Sequence, residues 1–107
     1  MTFASQRLTV LVVDDEPRSL ETLRRTLDDA FEVLTAESAE AALERMETDV
    51  VQLVLSDQRM PGTSGVALLA QIRQRWPDTV RMLLSGHTDA QDIIAGVNEA
   101  GIWQYLL

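Results

Sequence analysis

Along the chain, unbroken apolar runs alternate with stretches in which apolar residues return every three or four positions. LTVLVV (Leu8 to Val13) is continuous and β-branched, the pattern of a strand buried on both faces. Pro17 follows, where a helix can begin without losing a hydrogen bond, and Leu20, Leu23 and Leu27 recur at helical spacing. EVLT (Glu32 to Thr35) predicts a short second strand. Ser38 is a candidate N-cap for a helix carrying Ala42, Leu43 and Met46. VQLVLS (Val51 to Ser56) predicts the third strand, and Ser64 can cap a helix with Ala67, Leu68, Ile72 and Trp76. VRMLLS (Val80 to Ser85) predicts the fourth strand. Thr88 and Gln91 have capping-box spacing ahead of Ile93, Ile94 and Val97. Gly101 ends that helix, and IWQYLL predicts a fifth strand.

Five strands separated by four helices form βαβ units. Right-handed crossovers turn these into a doubly wound parallel sheet with helices on both faces. Ligands on such α/β sheets bind beyond the carboxyl ends of the strands, at the point where the strand order reverses. Asp14, Asp15 and Glu16 follow the first strand, Ser56 and Asp57 end the third, and Ser85 ends the fourth. In a flavodoxin-like order 2-1-3-4-5 the first and third strands are neighbours, so Asp14, Asp15 and Asp57 are expected to converge.

Convergent carboxylates repel one another and shift each other's pKa values. A hard divalent cation relieves this, and Mg²⁺ needs only one or two carboxylates because it keeps several waters. A single acid at a strand end is as readily a solvated or capping residue. An acid pair, an acid on the neighbouring strand and a hydroxyl on the next point instead to a site.

Composition narrows the choice. At 107 residues the chain is one domain. With 9 basic against 17 acidic residues, a net charge of −8, it lacks the basic face that direct nucleic-acid binding needs. The absence of cysteine excludes disulfides and thiolate metal sites. No apolar run approaches the ~20 residues of a membrane span, and the N-terminus carries no signal-peptide pattern. A soluble cytoplasmic domain is expected.

VLVVDDEP, LVLSDQRMPGTSG, RMLLSG and AGIWQYLL resemble, in order and spacing, the receiver domain of bacterial two-component response regulators, across essentially the whole chain. The resemblance implies a CheY-like fold and a phosphorylation switch rather than a conventional enzyme. Asp57 would be the phosphoacceptor. Asp14 and Asp15, with Asp57 and the backbone carbonyl of Arg59, would hold Mg²⁺. Ser85 would be the switch hydroxyl and Tyr105 the switch aromatic, while Pro61 and Gly65 match the loop after the acceptor. The partners implied are a sensor histidine kinase and an attached output domain. SDQRMPG and SGHTDAQDIIAGVNEAGIWQYLL resemble receivers of nitrogen-regulator-type activators, including those of hydrogenase genes. Receivers joined to HD-type phosphodiesterase domains use similar wording, and a homodimer stays open.

The family ordinarily carries a Lys after the fifth strand, then a fifth helix. The sequence stops at Leu107, one residue short of that Lys, so a domain truncated before its Lys and fifth helix is expected. Gly86 fits a close approach by a phosphoryl group, His87 could tune dephosphorylation, and Arg59 could lean over the site. For Gly86 the phosphoryl approach is the favoured reading, whereas His87 and Arg59 are equally readable as ordinary loop residues. Trp76 and Trp103 are read as packing or partner-facing. Two other readings compete. A haloacid-dehalogenase-like phosphatase also uses an Asp nucleophile with Mg²⁺, but it needs Asp-x-Asp after the first strand, where this chain has Asp14-Asp15-Glu16. The other is an interaction module active when unphosphorylated.

Overall fold

The computed structural model describes residues 7–84 and the backbone of residues 104–106. The elements are β1 (Thr9–Val13), α1 (Pro17–Leu27), β2 (Glu32–Ala36), α2 (Ala39–Thr48), β3 (Leu53–Asp57), α3 (Gly65–Arg75), β4 (Val80–Leu84) and β5 (Gln104–Leu106). The sheet runs β2-β1-β3-β4-β5 with every neighbouring pair parallel. This is a flavodoxin-like α/β arrangement. The helix expected after Thr88 lies outside the described residues, as do Ser85, Gly86, His87 and Trp103.

The unbroken apolar run of β1 has a direct cause. Val10 and Val12 pack with Leu20 and Leu55, flanked by Leu23 and Leu27 of α1. Leu11 and Val13 point the other way, into a core built from Ala42 and Met46 of α2 and Leu68, Leu69 and Ile72 of α3. Successive strand residues face opposite sides, so a strand covered on both needs apolar residues throughout. All four residues from Val10 to Val13 are fully buried.

Local chemistry sets the helix starts. Pro17 occupies the first helical position of α1, where the cap is Glu16. The Ser38 hydroxyl accepts from the Ala41 N–H at 3.1 Å and the Ser64 hydroxyl from the Ala67 N–H at 3.2 Å, so both expected serine caps form. Strand boundaries shift slightly. Leu8 precedes β1 and is 56% exposed. Val51 and Gln52 precede β3, which extends instead through Asp57. Gln52 stitches the amino ends of three strands: its side-chain oxygen accepts from the Thr9 N–H at 2.6 Å, its N–H donates to the Thr9 carbonyl and its carbonyl accepts from the Val80 N–H. Trp76 ends α3 as its C-cap, half-buried against the core, with the Arg75 guanidinium 4.3 Å from its ring centre. It is a packing residue.

Candidate functional site: an acid cluster at the carboxyl edge

β1 and β3 pair in register from Val10↔Leu53 to Val13↔Ser56. That register brings the residues after Val13 level with Asp57 at the carboxyl end of β3. Carboxylate oxygens of Asp14, Asp15 and Asp57 all lie within 4.8 Å of one another. The convergence expected from the strand order therefore forms. Among the described residues it is the one such group of three or more possible ligands.

The three acids differ in setting. Asp14 is buried, Asp57 half-buried and Asp15 exposed. The Asp14 backbone is tied to β2 by its N–H bond to the Ala36 carbonyl at 3.1 Å, and its Oδ1 accepts from the Glu16 N–H at 3.0 Å. Burial raises the Asp14 pKa from its ordinary value, against the Glu16 hydrogen bond, with help from the charges of Asp57, Asp15 and Glu16. Burial likewise raises that of Asp57, reinforced by Asp15. The backbone N–H groups of Gln58 and Arg59 and the Arg59 charge pull the other way. Two carboxyls with raised pKa values beside a third form a site short of positive charge.

The donor set is oxygen only, without imidazole or thiolate, which selects a hard cation. Three oxygens this close can share one ion, and the raised pKa values mark the charge that such an ion would balance. A shallow cleft of about 370 Å³ adjoins the cluster, lined by Asp14, Arg18, Ser19, Thr22, Leu23 and Leu84. A larger groove of about 560 Å³ runs between Trp76 and Val50 at the opposite, amino end of the sheet. It holds no comparable acid cluster among the described residues, so size does not mark the site here.

The backbone of Asp57 is confined from several directions. The buried Ser56 hydroxyl donates to the Asp57 carbonyl at 2.9 Å. A β-carbon on Gly65 would stand 2.2 Å from that same oxygen, so the start of α3 rests directly on it. Gln58 joins the two elements: its carbonyl accepts from the Gly65 N–H at 3.1 Å and its Oε1 from the Val66 N–H at 2.9 Å. The resemblance placed Gly65 in the loop after the acceptor without giving the reason, and sequence reasoning missed Gln58 altogether. Arg59 is exposed beyond it. Asp57 pairs with Leu84 across β3 and β4, so Ser85, outside the described residues, directly follows the strand partner of Asp57. Tyr105 lies on β5 opposite Leu83.

A parallel α/β domain with an acid cluster at its topological switch point defines a class of ligand-binding signalling and enzyme domains. The family model described as response regulator receiver domain matches residues 10–107, and the chain belongs to that family. It is 56% identical over 104 residues to the hydrogenase transcriptional regulatory protein HoxA of Cupriavidus necator, covering 97% of this chain and 22% of that protein. It is 36% identical over 102 residues to the DNA-binding transcriptional regulator NtrC of Escherichia coli K12, covering 94% of this chain and 22% of NtrC. The chain thus spans about a fifth of the length of these relatives. Among solved structures, the signal receiver domain of an HD domain-containing protein from Pseudomonas fluorescens Pf-5 superposes with a TM-score of 0.90 at 34% identity, covering 94% of this chain and 82% of that one. The chemotaxis protein CheY4 of Vibrio cholerae gives 0.88 at 25% identity, covering 95% and 87%. Among the described residues, no helix is long and apolar enough to cross a membrane.

Proposed function

We propose that this domain is a phosphorylation switch in which Asp57 accepts a phosphoryl group from a sensor histidine kinase. The observation that carries the reading is the convergence of Asp14 and Asp15 on Asp57 at the carboxyl edge of the sheet. An Asp57 carboxylate oxygen forms the new O–P bond as the N–P bond of the kinase phosphohistidine breaks, and the histidine nitrogen keeps the electron pair. The N–H groups of Gln58 and Arg59 hydrogen-bond the Asp57 carboxylate and favour its charged form. Asp14, Asp15, Asp57 and the Arg59 carbonyl are the groups that would hold Mg²⁺. When bound, Mg²⁺ neutralises charge on the transferring phosphoryl group. Ser85 is the hydroxyl that would answer the new phosphoryl oxygens, and Tyr105, on the strand beside β4, the aromatic that would move with it.

The output reading rests on the relatives. The 56% identity to a hydrogenase transcriptional regulator favours an attached transcriptional activator over the HD-type alternative. Such a switch would work in the cytoplasm, where both kinase and promoter are accessible. The test is phosphoryl uptake from acetyl phosphate, followed by intact-mass spectrometry. Uptake is expected with Mg²⁺, to be lost with EDTA, and to be lost in Asp57→Asn. Equal uptake by parent and Asp57→Asn would overturn the assignment.

A further inference from the structure

We infer that Gln58 is a positioning residue, which clamps the loop after Asp57 to the start of α3 and so sets the backbone that faces the Asp57 carboxylate. The inference rests on the phosphoacceptor reading above. The first N–H groups of a helix have no partner within it and must find one outside. In α3 the shares are unequal. Ser64, the ordinary cap, takes only the Ala67 N–H through its side chain. The Gly65 and Val66 N–H groups both go to Gln58, one to its carbonyl and one to its Oε1. A residue adjacent to the acceptor thus satisfies two donors of a helix that begins seven residues further on.

The loop from Arg59 to Ser64 is thereby closed into a ring pinned at Gln58. In the same short segment, hydrogen bonds from the Gln58 and Arg59 N–H groups to the Asp57 carboxylate act to lower its pKa. The Gln58 side chain ties the segment to α3 while its backbone N–H hydrogen-bonds the acceptor carboxylate. Gly65, pressed on the Asp57 carbonyl, leaves the helix little room to move independently. Removing the side-chain acceptor orphans the Val66 N–H and frees the segment to shift, and small displacements of reacting groups cost rate steeply.

Four proteins separate this from general helix stabilisation: the parent, Gln58→Met, Gln58→Glu and Ser64→Ala. Methionine keeps the length and removes the acceptor, glutamate keeps an acceptor oxygen, and Ser64→Ala removes the other cap of the same helix. The first readout is amide hydrogen exchange in EDTA. The Arg59 and Val66 amides are expected to exchange about tenfold faster in Gln58→Met, as for loss of one modest hydrogen bond, and at near-parent rates in Gln58→Glu. The second is the rate of Asp57 phosphorylation by acetyl phosphate at saturating Mg²⁺, below the melting transition. Gln58→Met is expected to fall about tenfold, with Gln58→Glu and Ser64→Ala close to the parent.

Parent rates in Gln58→Met overturn the inference, as does equal slowing in Ser64→Ala or in Gln58→Glu. If Gln58→Met does not fold, Gln58→Asn, which keeps the amide but shortens its reach, is expected to show the same pair of changes. Parent behaviour there is equally contradictory. Absence of uptake in the parent would remove the phosphoacceptor reading and this inference together. Uptake in the parent with unchanged Gln58 variants removes only this one.

Discussion

Gly65 sits so close to Asp57 that a β-carbon on it would lie 2.2 Å from the Asp57 carbonyl oxygen and 2.9 Å from Leu83 Cδ1. The constraint is space rather than backbone freedom, because Gly62 is the glycine with positive φ among the described residues. Neither neighbour yields easily, one being strand backbone and the other a buried core side chain. Gly65→Ala is therefore expected to cost ~1–3 kcal/mol, the range for overpacking a close-packed interior. It should also slow phosphorylation, since the displaced atom belongs to the acceptor residue. Denaturant unfolding and uptake rates check both. Parent stability in Gly65→Ala would mean that α3 moves away freely.

The acid cluster makes the metal-free domain less stable than it could be at neutral pH. Asp14 and Asp57 have raised pKa values in the fold, so the folded state holds their protons more tightly than the unfolded chain does. Their destabilising contribution is then fully present above the folded pKa values. It fades as pH falls through them toward the ordinary Asp value of about 3.9. Asp14→Asn keeps the oxygen that accepts from the Glu16 N–H while removing the charge. In EDTA it is expected to melt higher than the parent at pH 7, with the gap closing at acid pH. A gap independent of pH would contradict the electrostatic account.

Mg²⁺ should reverse that ranking. A ligand that binds only the folded state stabilises by RT ln(1 + [L]/Kd), about 2.7 kcal/mol at a hundredfold excess over Kd. The parent is expected to gain melting temperature with Mg²⁺, and Asp15→Ala to gain little. Superimposed melting curves for the parent with and without Mg²⁺ would contradict a cation site.

Stability and chemistry should separate at the far end of the sheet. The buried Thr79 hydroxyl donates to the Val51 carbonyl at 2.9 Å, tying the approach to β4 to that of β3. Thr79→Val keeps the shape and removes the donor, so a loss of ~1–3 kcal/mol is expected. Phosphorylation of the folded fraction should be unchanged, because the residue lies at the amino end of the sheet. A large rate change would show coupling along β3 or β4.

Period and punctuation in the sequence carried much of the architecture. The apolar run of β1, Pro17 at the start of α1, and Ser38 and Ser64 as caps all express local rules that the folded chain obeys. The acid cluster was legible because parallel topology converts strand-end residues into neighbours, so the strand order alone brings Asp14, Asp15 and Asp57 together. Tertiary features were not legible. Glu16 caps α1 although glutamate is not a usual N-cap. Arg81 is 4% exposed on β4, its guanidinium donating to the Thr79 carbonyl at 2.8 Å, where a charged residue suggests a solvent-facing position. Nothing periodic marks the glutamine that spans Asp57 and α3, or a glycine required only by the carbonyl beneath it.

The most direct test of the central claim is to locate the phosphoryl group. The protein is treated with acetyl phosphate and Mg²⁺, and the acyl phosphate is reduced with borohydride, which converts a phosphorylated aspartate to homoserine. Peptide sequencing by mass spectrometry then reads each aspartate separately. The predicted result is homoserine at position 57, with Asp14 and Asp15 intact. Homoserine at Asp14 or Asp15, or at none of the three, would contradict it.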